Sequence, residues 1–185
     1  MLAQETLRLP SKLFFVDSLP IKWRNLAYKI LIKLGIIKRY GHAVLRVYGS
    51  DGRLKAKGEG YNTIMNAGKG ELADLMIGVV TNTLNAMNVG TSDGSPNDST
   101  LTDLVSPATP VARLSISAGG RFRTNLLITC SVLIPSGQYT RPFTAKEMAV
   151  YFDPTATGKI FARATITAVT MNAGDSGRMD YELQL

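Results

Sequence analysis

The chain has 185 residues and a mass of 20.0 kDa, enough for one domain with an additional arm and too little for two full domains. Its single cysteine, Cys130, excludes an internal disulfide framework, and its single histidine, His42, leaves little room for histidine-based metal or triad chemistry. The formal net charge is +7 and the sequence pI is near 9.6, values typical of proteins that contact nucleic acid or a membrane surface.

The positive charge is concentrated at the N-terminus. Residues 1–57 contain 12 lysines and arginines against three acidic residues, a net charge of +9, whereas residues 58–185 contain nine against 11, a net charge of −2. This asymmetry predicts two parts, a basic arm over residues 1–40 and a globular domain over residues 41–185.

Residues 20–39 are predicted to form a basic amphipathic helix. Ser18 can cap it and Pro20 suits its first turn. Three lysines share one narrow face and apolar side chains cover much of the remaining surface. The candidate anchor contacts of this helix are Lys22, Trp23, Leu26, Lys29, Ile30, Lys33, Ile37 and Arg39.

Three kinds of partner fit this helix. Its apolar face can pack on its own domain or on a neighbouring subunit, and a basic helix with a tryptophan also suits a membrane surface. Nucleic acid is the third, although the clustered arginines and interleaved aromatics that favour base stacking are missing. The charge-free stretches are too short for a transmembrane span, and the N-terminus lacks a signal-peptide pattern.

From residue 41 the hydrophobic period changes from that of a helix to that of a strand. Asp51-Gly52 predicts a hairpin between strands 43–48 and 53–59. A short helix is predicted over residues 71–77, with Leu72, Leu75 and Met76 on one side and Gly78 ending it. Further strands are predicted over residues 85–89, 111–117, 121–134, 144–152, 160–169 and 178–185.

This pattern predicts a mainly β fold, an antiparallel β-sandwich of the jelly-roll kind with one short interposed helix. Residues 90–100 are all Gly, Ser, Thr, Asp, Asn or Pro, which predicts a surface loop. The last strand is expected to be built into a sheet as an edge strand, with Asp180 and Glu182 on its solvent-exposed side. Arg163 and Arg178 could form ion pairs with these carboxylates across strands. Small residues at 162, 164 and 168 would allow close packing of two sheets.

Motifs for catalysis fail on inspection, and no catalytic residue, cofactor or metal ligand is assigned. Residues 66–70 lack the leading glycine and the final Ser or Thr of a phosphate loop. The segment from Asp93 lacks the glycine and the glutamate of a calcium loop, since Asp98 and Leu104 stand at those places. Cys130 lies on the apolar face of its strand, which predicts a buried and inert thiol.

Several short motifs follow one another in a recognisable order. They are Gly58-Glu59-Gly60-Tyr61-Asn62, Asn66-Ala67-Gly68-Lys69, Met87-Asn88-Val89-Gly90-Thr91, Thr100-Leu101-Thr102, Phe143-Thr144-Ala145-Lys146-Glu147 and Ile160-Phe161-Ala162-Arg163-Ala164. Their order over residues 43–185 resembles small virion structural proteins of head-tailed bacterial and archaeal viruses, of the tail-tip, baseplate or capsid-decoration type. The resemblance implies a β-sandwich that works by self-assembly without cofactor or catalysis. Within it, Glu147 would bond backbone amides near a strand start, and glycines around Asn62 would allow a turn into the helix.

The sequence therefore favours a non-enzymatic virion structural protein that assembles with itself and docks onto other capsid or tail subunits. Its expected location is the virion, assembled in the host cytoplasm, and no small-molecule substrate is expected. The alternative is a membrane-surface or nucleic-acid-binding module that uses helix 20–39, and a hydrolase on a β-sandwich is a third, weaker hypothesis. Candidate loop contacts are Asp93, Asn97, Tyr139 and Arg141.

Overall fold

The computed structural model describes residues 23, 26, 27, 30, 41–79, 81, 83–94, 98–108, 113–125, 127–152 and 160–184. Within this part the protein is mainly β, with nine antiparallel strands and one helix whose two ends are defined. The elements are β1 (Gly41–Tyr48), β2 (Leu54–Ile64), α1 (Asn66–Met76), β3 (Ala86–Gly90), β4 (Leu114–Ser115), β5 (Arg121–Thr124), β6 (Leu127–Ile134), β7 (Phe143–Tyr151), β8 (Ile160–Met171) and β9 (Ser176–Gln184).

The strands form one curled sheet in the order β4-β3-β7-β8-β2-β1-β9-β6-β5. The sheet curls at β2, which pairs with β1 along most of its length and with β8 only at residues 62–64. Gly58 and Gly60 lie where β2 passes over β8, and a Cβ on either would overlap the backbone oxygen of Thr167 or Thr165. These glycines therefore serve a close strand crossing, and the expectation that they form a turn into the helix was wrong.

The two halves of the curled sheet enclose the larger of two hydrophobic clusters among the described residues. Inward residues of β1, β9 and β6 from one half meet those of β3, β7 and β8 from the other. Leu45, Met148 and Ile166 are among the side chains with no exposed surface. Each fully buried side chain of this size contributes about 1.5–3 kcal/mol, so the core is the main source of stability of residues 41–184.

Helix α1 begins five residues earlier than the sequence predicts, at Asn66 instead of residue 71. The backbone N–H of Asn66 donates to the carbonyl of Ser99, and Gly68 lies against the backbone of Phe161 on β8. The helix buries Gly68 and Glu71, not the apolar side predicted from the sequence. Gly78, with φ of 76°, follows its last turn as expected.

The strand predicted over residues 121–134 is a hairpin of two strands, β5 and β6. Arg121 pairs with Cys130 and Thr124 pairs with Leu127. Asn125 between them has φ of 55°, in the left-handed region that asparagine tolerates better than most residues. The tight turn at this asparagine reverses the chain where the alternation of the sequence suggests one continuous strand.

The C-terminal strand β9 is built into the sheet, as predicted, but it lies between β1 and β6. The interpretation of this strand as an edge strand was therefore wrong. Asp180 and Glu182 do lie on its outer face, where Glu182 is partly exposed and Asp180 is only 9% exposed.

Strand β8 changes the face it presents to the core part-way along its length. Its pairing with β7 shifts register between Ala145 and Glu147. As a result Ile166 and Val169 are buried, whereas Ala168, which was expected to face the core, is exposed.

Candidate functional site

The predicted N-terminal anchor residues that the structure describes are exposed apolar side chains. Trp23, Leu26 and Ile30 have helical backbone and are 61%, 46% and 49% exposed. Their spacing of three and four residues places them on one face of a helix; we call these three residues the arm stripe. The other predicted anchor residues, Lys22, Lys29, Lys33, Ile37 and Arg39, lie outside the described residues.

The predicted loop contacts divide into exposed and buried residues. Asp93 is exposed, with a carboxylate oxygen 3.5 Å from Nζ of Lys146, and Arg141 is also exposed. Asn97 lies outside the described residues.

Tyr139 was wrongly predicted to be an exposed contact. It is 3% exposed, and its ring lies 4.6 Å from that of Phe143 as part of the core. Burial raises the pKa of its phenol to about 12.

A fully buried ion pair connects two of the motifs that carry the viral resemblance. Nε of Arg163 on β8 donates to Oε2 of Glu147 on β7 at 2.7 Å, and neither side chain has exposed surface. Two charges are tolerated in such a position only when each is paired and hydrogen-bonded.

The remaining hydrogen bonds of this pair hold the polar segment between β3 and β4. Glu147 accepts from the backbone N–H groups of Val105 (3.2 Å) and Ser106 (2.9 Å), which confirms the expectation that it bonds backbone amides. Nη2 of Arg163 donates to the carbonyl of Gly94 at 2.8 Å. Residues 94 and 105–106, at two ends of one loop, are thus fixed to the same buried pair, which we call the loop anchor.

Gly90 belongs to the same arrangement. A Cβ at this position would overlap the carboxylate of Glu147 and the carbonyl of Ser106. The motif glycine at the end of β3, the motif glutamate and the motif arginine therefore meet around one polar centre, from which Glu147 and Arg163 also bond backbone groups of this chain. The geometry is that of a scaffold that orders a loop.

A second polar cluster beside it was not found from the sequence. The hydroxyl of Tyr151 donates to Oδ1 of Asp103 at 2.6 Å, and Nη2 of Arg113 donates to Oδ2 of the same carboxylate at 2.8 Å. The Arg113 guanidinium lies 3.8 Å from the centre of the Tyr151 ring. Burial, and next the Asp103 carboxylate, raise the pKa of Tyr151 well above its usual range.

The outer face of β1, β9 and β6 carries a half-exposed network. Asp180 accepts from Arg46, from Nε of Arg178 at 2.8 Å and from the hydroxyl of Ser131 at 2.6 Å. Asp180 pairs with Arg178 as expected, but within β9 and not across strands, whereas Arg163 pairs with Glu147 on the other half of the sheet.

The residues tested for chemistry occupy structural positions. Gly68 belongs to residues 66–70, which lack the features of a phosphate loop, and it packs on Phe161 in the first turns of α1. Cys130 has no exposed surface, and burial raises the pKa of its thiol to about 11. His42 lies 3.8 Å from the carboxylates of both Glu59 and Glu182.

The described residues contain neither a metal-binding cluster nor a membrane-spanning helix. No group of three or more His, Cys, Asp or Glu side chains in this part of the chain is arranged to hold a metal ion. Nor does any helix within it have the length and apolar character needed to cross a membrane.

The sequence of this chain has no match among known protein families or curated proteins. The arm stripe and the loop anchor are therefore the features of this chain that bear on its function.

Proposed function

We propose that this chain is a non-enzymatic virion structural protein, which assembles with itself and docks onto other capsid or tail subunits. The observation that carries the proposal is the exposure of Trp23, Leu26 and Ile30 on one helical face. Three large apolar side chains side by side are typical of a surface that another molecule covers. Tryptophan in particular is enriched among the residues that dominate binding energy at interfaces.

The body of the protein supports the same proposal. The motifs that resemble those of virion proteins come together at the loop anchor, where Glu147 bonds the backbone of Ser106 and Arg163 that of Gly94. The motifs thus contribute to a rigid scaffold, which is what a particle component requires. The core shared by both halves of the curled sheet supports a sandwich of the jelly-roll kind as the detailed form of this scaffold.

The proposal is tested by the mass of the full-length chain in solution. Size-exclusion chromatography with light scattering is expected to show an oligomer, and a variant with Trp23→Glu and Leu26→Glu is expected to have a lower mass. The matched control is Leu133→Glu, since Leu133 is 71% exposed but belongs to the body. A wild-type chain that stays monomeric at every concentration, or an arm variant of unchanged mass, would contradict the proposal.

The alternative function uses the same helix and is an outcome of a second experiment. Co-sedimentation is measured with vesicles of anionic phospholipid and with duplex DNA over a salt series. If the wild-type chain is monomeric and binds vesicles or DNA, and the arm variant does not bind them, the function is membrane attachment or nucleic-acid binding and not assembly. DNA binding would weaken steeply with salt because counterions are released from the phosphates.

A further inference from the structure

The C-terminal end of α1 exposes a continuous group of apolar side chains. Leu75, Met76, Ile77 and Val79 are 39%, 80%, 75% and 67% exposed. We call these four residues the α1 end. Large exposed apolar groups scattered singly need no explanation, but four within five residues form a patch.

This patch is held on an ordered backbone. The N–H of Val79 donates to the carbonyl of Asp74 at 2.9 Å, and the N–H of Gly78 donates to the carbonyl of Leu75 at 3.2 Å. Together with the φ of 76° at Gly78, these bonds form a Schellman motif, the common glycine-based helix ending. The side chains of the α1 end are therefore presented in fixed positions, as a binding surface requires.

The charge around the α1 end differs from that around other exposed apolar residues. The last turn of α1 has no basic residue, and a helix C-terminus carries a partial negative charge. Asp74 lies in that turn, whereas Glu71 is buried, and residues 70–112 contain no lysine or arginine. By contrast, exposed Phe122 lies between Arg121 and Arg123 in the chain, and exposed Leu54 lies between Arg53 and Lys55.

We infer that the α1 end is the docking surface for residues 20–39 of a second copy of this chain. Residues 20–39 contain six lysines and arginines and no acidic residue; this positive charge complements Asp74 and the C-terminus of α1 and is repelled by the basic surroundings of Phe122 and Leu54. The arm stripe supplies the apolar side, and its exposure within its own chain leaves it available to another copy. The inference rests on the proposed function, for which it names the receiving surface.

Site-directed crosslinking tests the pairing directly, because the only native cysteine is buried and has a raised pKa. Chains with Ala27→Cys and chains with Ala73→Cys carry different tags, are co-expressed and are treated with a short bismaleimide. Ala27 lies beside the arm stripe, and exposed Ala73 lies one turn before Ile77. A crosslink between the two tagged chains is expected.

The matched control for this crosslink replaces Ala73→Cys by Thr140→Cys, at another exposed position. Equal crosslinking to both positions, crosslinking only within one chain, or none would overturn the inference.

Separate variants distinguish failure of this inference from failure of the proposed function. Ile77→Glu and Trp23→Glu are each expected to weaken self-association by about tenfold or more. At a concentration where wild type is dissociated, both should leave the thermal unfolding temperature unchanged, because both side chains are exposed. If Trp23→Glu dissociates the oligomer and Ile77→Glu does not, the arm docks elsewhere, so the inference is wrong and the proposed function stands. If the wild-type chain is monomeric, both are wrong.

Discussion

The body and the arm of this protein place their side chains in opposite ways. In the body, even charged groups are buried when they have partners, as with Glu147 and Arg163, which have no exposed surface. In the arm, Trp23 and its two neighbours on the stripe are about half exposed although they are apolar. Under the proposed function, stability and assembly are carried by separate parts of the chain.

Substitutions test whether the body and the arm differ in this way. Changes at buried positions of the body should alter the free energy of unfolding. Changes on the arm stripe should alter the mass of the assembly and leave that free energy unchanged. The expected effects on unfolding, from the largest to the smallest, run from the loop anchor to the arm.

Glu147→Ala is expected to have the largest effect, a loss of about 3–5 kcal/mol of unfolding free energy. The variant keeps the guanidinium of Arg163 in a position without exposed surface but removes the carboxylate that pairs with it. Urea unfolding followed by circular dichroism measures the loss. The control is Asp180→Ala, for which a smaller loss of about 1–2 kcal/mol is expected because the arginines that pair with Asp180 reach solvent. Similar losses in both variants would show that the two networks do not differ as proposed.

Two glycines on α1 provide the next test, with effects of opposite sign. A Cβ at Gly68 would overlap the backbone of Phe161, so Gly68→Ala should destabilise the fold by about 2–3 kcal/mol. A Cβ at Gly70 meets nothing within 4 Å, so Gly70→Ala should stabilise it by about 0.5–1 kcal/mol through helix propensity. Thermal unfolding of both variants measures the difference. A neutral Gly68→Ala would argue against close packing of α1 on β8.

The buried phenol of Tyr139 predicts a loss of stability at high pH. Its pKa is raised from 10.0 to about 12, so its contribution is fully present below pH 10 and is lost as the pH rises through 12. At pH 11 the expected loss is about 1.4 kcal/mol. Tyr139→Phe removes this part of the pH dependence. It should be at least as stable as wild type at pH 7, because the hydroxyl has no hydrogen-bond partner among the described residues. Identical pH profiles for variant and wild type would place Tyr139 in solvent.

The smallest effect on unfolding is expected for the arm. Trp23→Glu should change the unfolding free energy, measured at a concentration where wild type is dissociated, by less than about 0.5 kcal/mol. A loss of more than 1 kcal/mol in urea unfolding would mean that this side chain packs on the body, contrary to the comparison.

Much of the sheet could be predicted from the sequence because alternation and turn residues agree. The hairpin of β1 and β2 has a clear Asp-Gly turn, and β9 alternates to its end. The β5–β6 hairpin was missed because Asn125 is not followed by glycine and the alternation continues through the turn. The curl at β2 depends on where Gly60 meets Thr165, a distant contact that local pattern does not reveal.

The candidate site was predicted only in part for the same reason. The amide-binding role of Glu147 followed from its motif, whereas its pairing with Arg163 depends on the register of β7 and β8. Tyr139 stands in a polar loop sequence but reaches the core, and the exposure of Met76 depends on what α1 packs against. These are tertiary outcomes, which helical or strand periodicity does not determine.

The fluorescence of Trp23, the only tryptophan of the chain, tests the central claim most directly. Emission spectra and light scattering are recorded on the same samples over a dilution series. If the arm stripe mediates assembly, the emission maximum shifts to shorter wavelength as mass rises with concentration, because the indole leaves water. An oligomer that forms while Trp23 keeps the emission of a solvent-exposed indole would contradict the account.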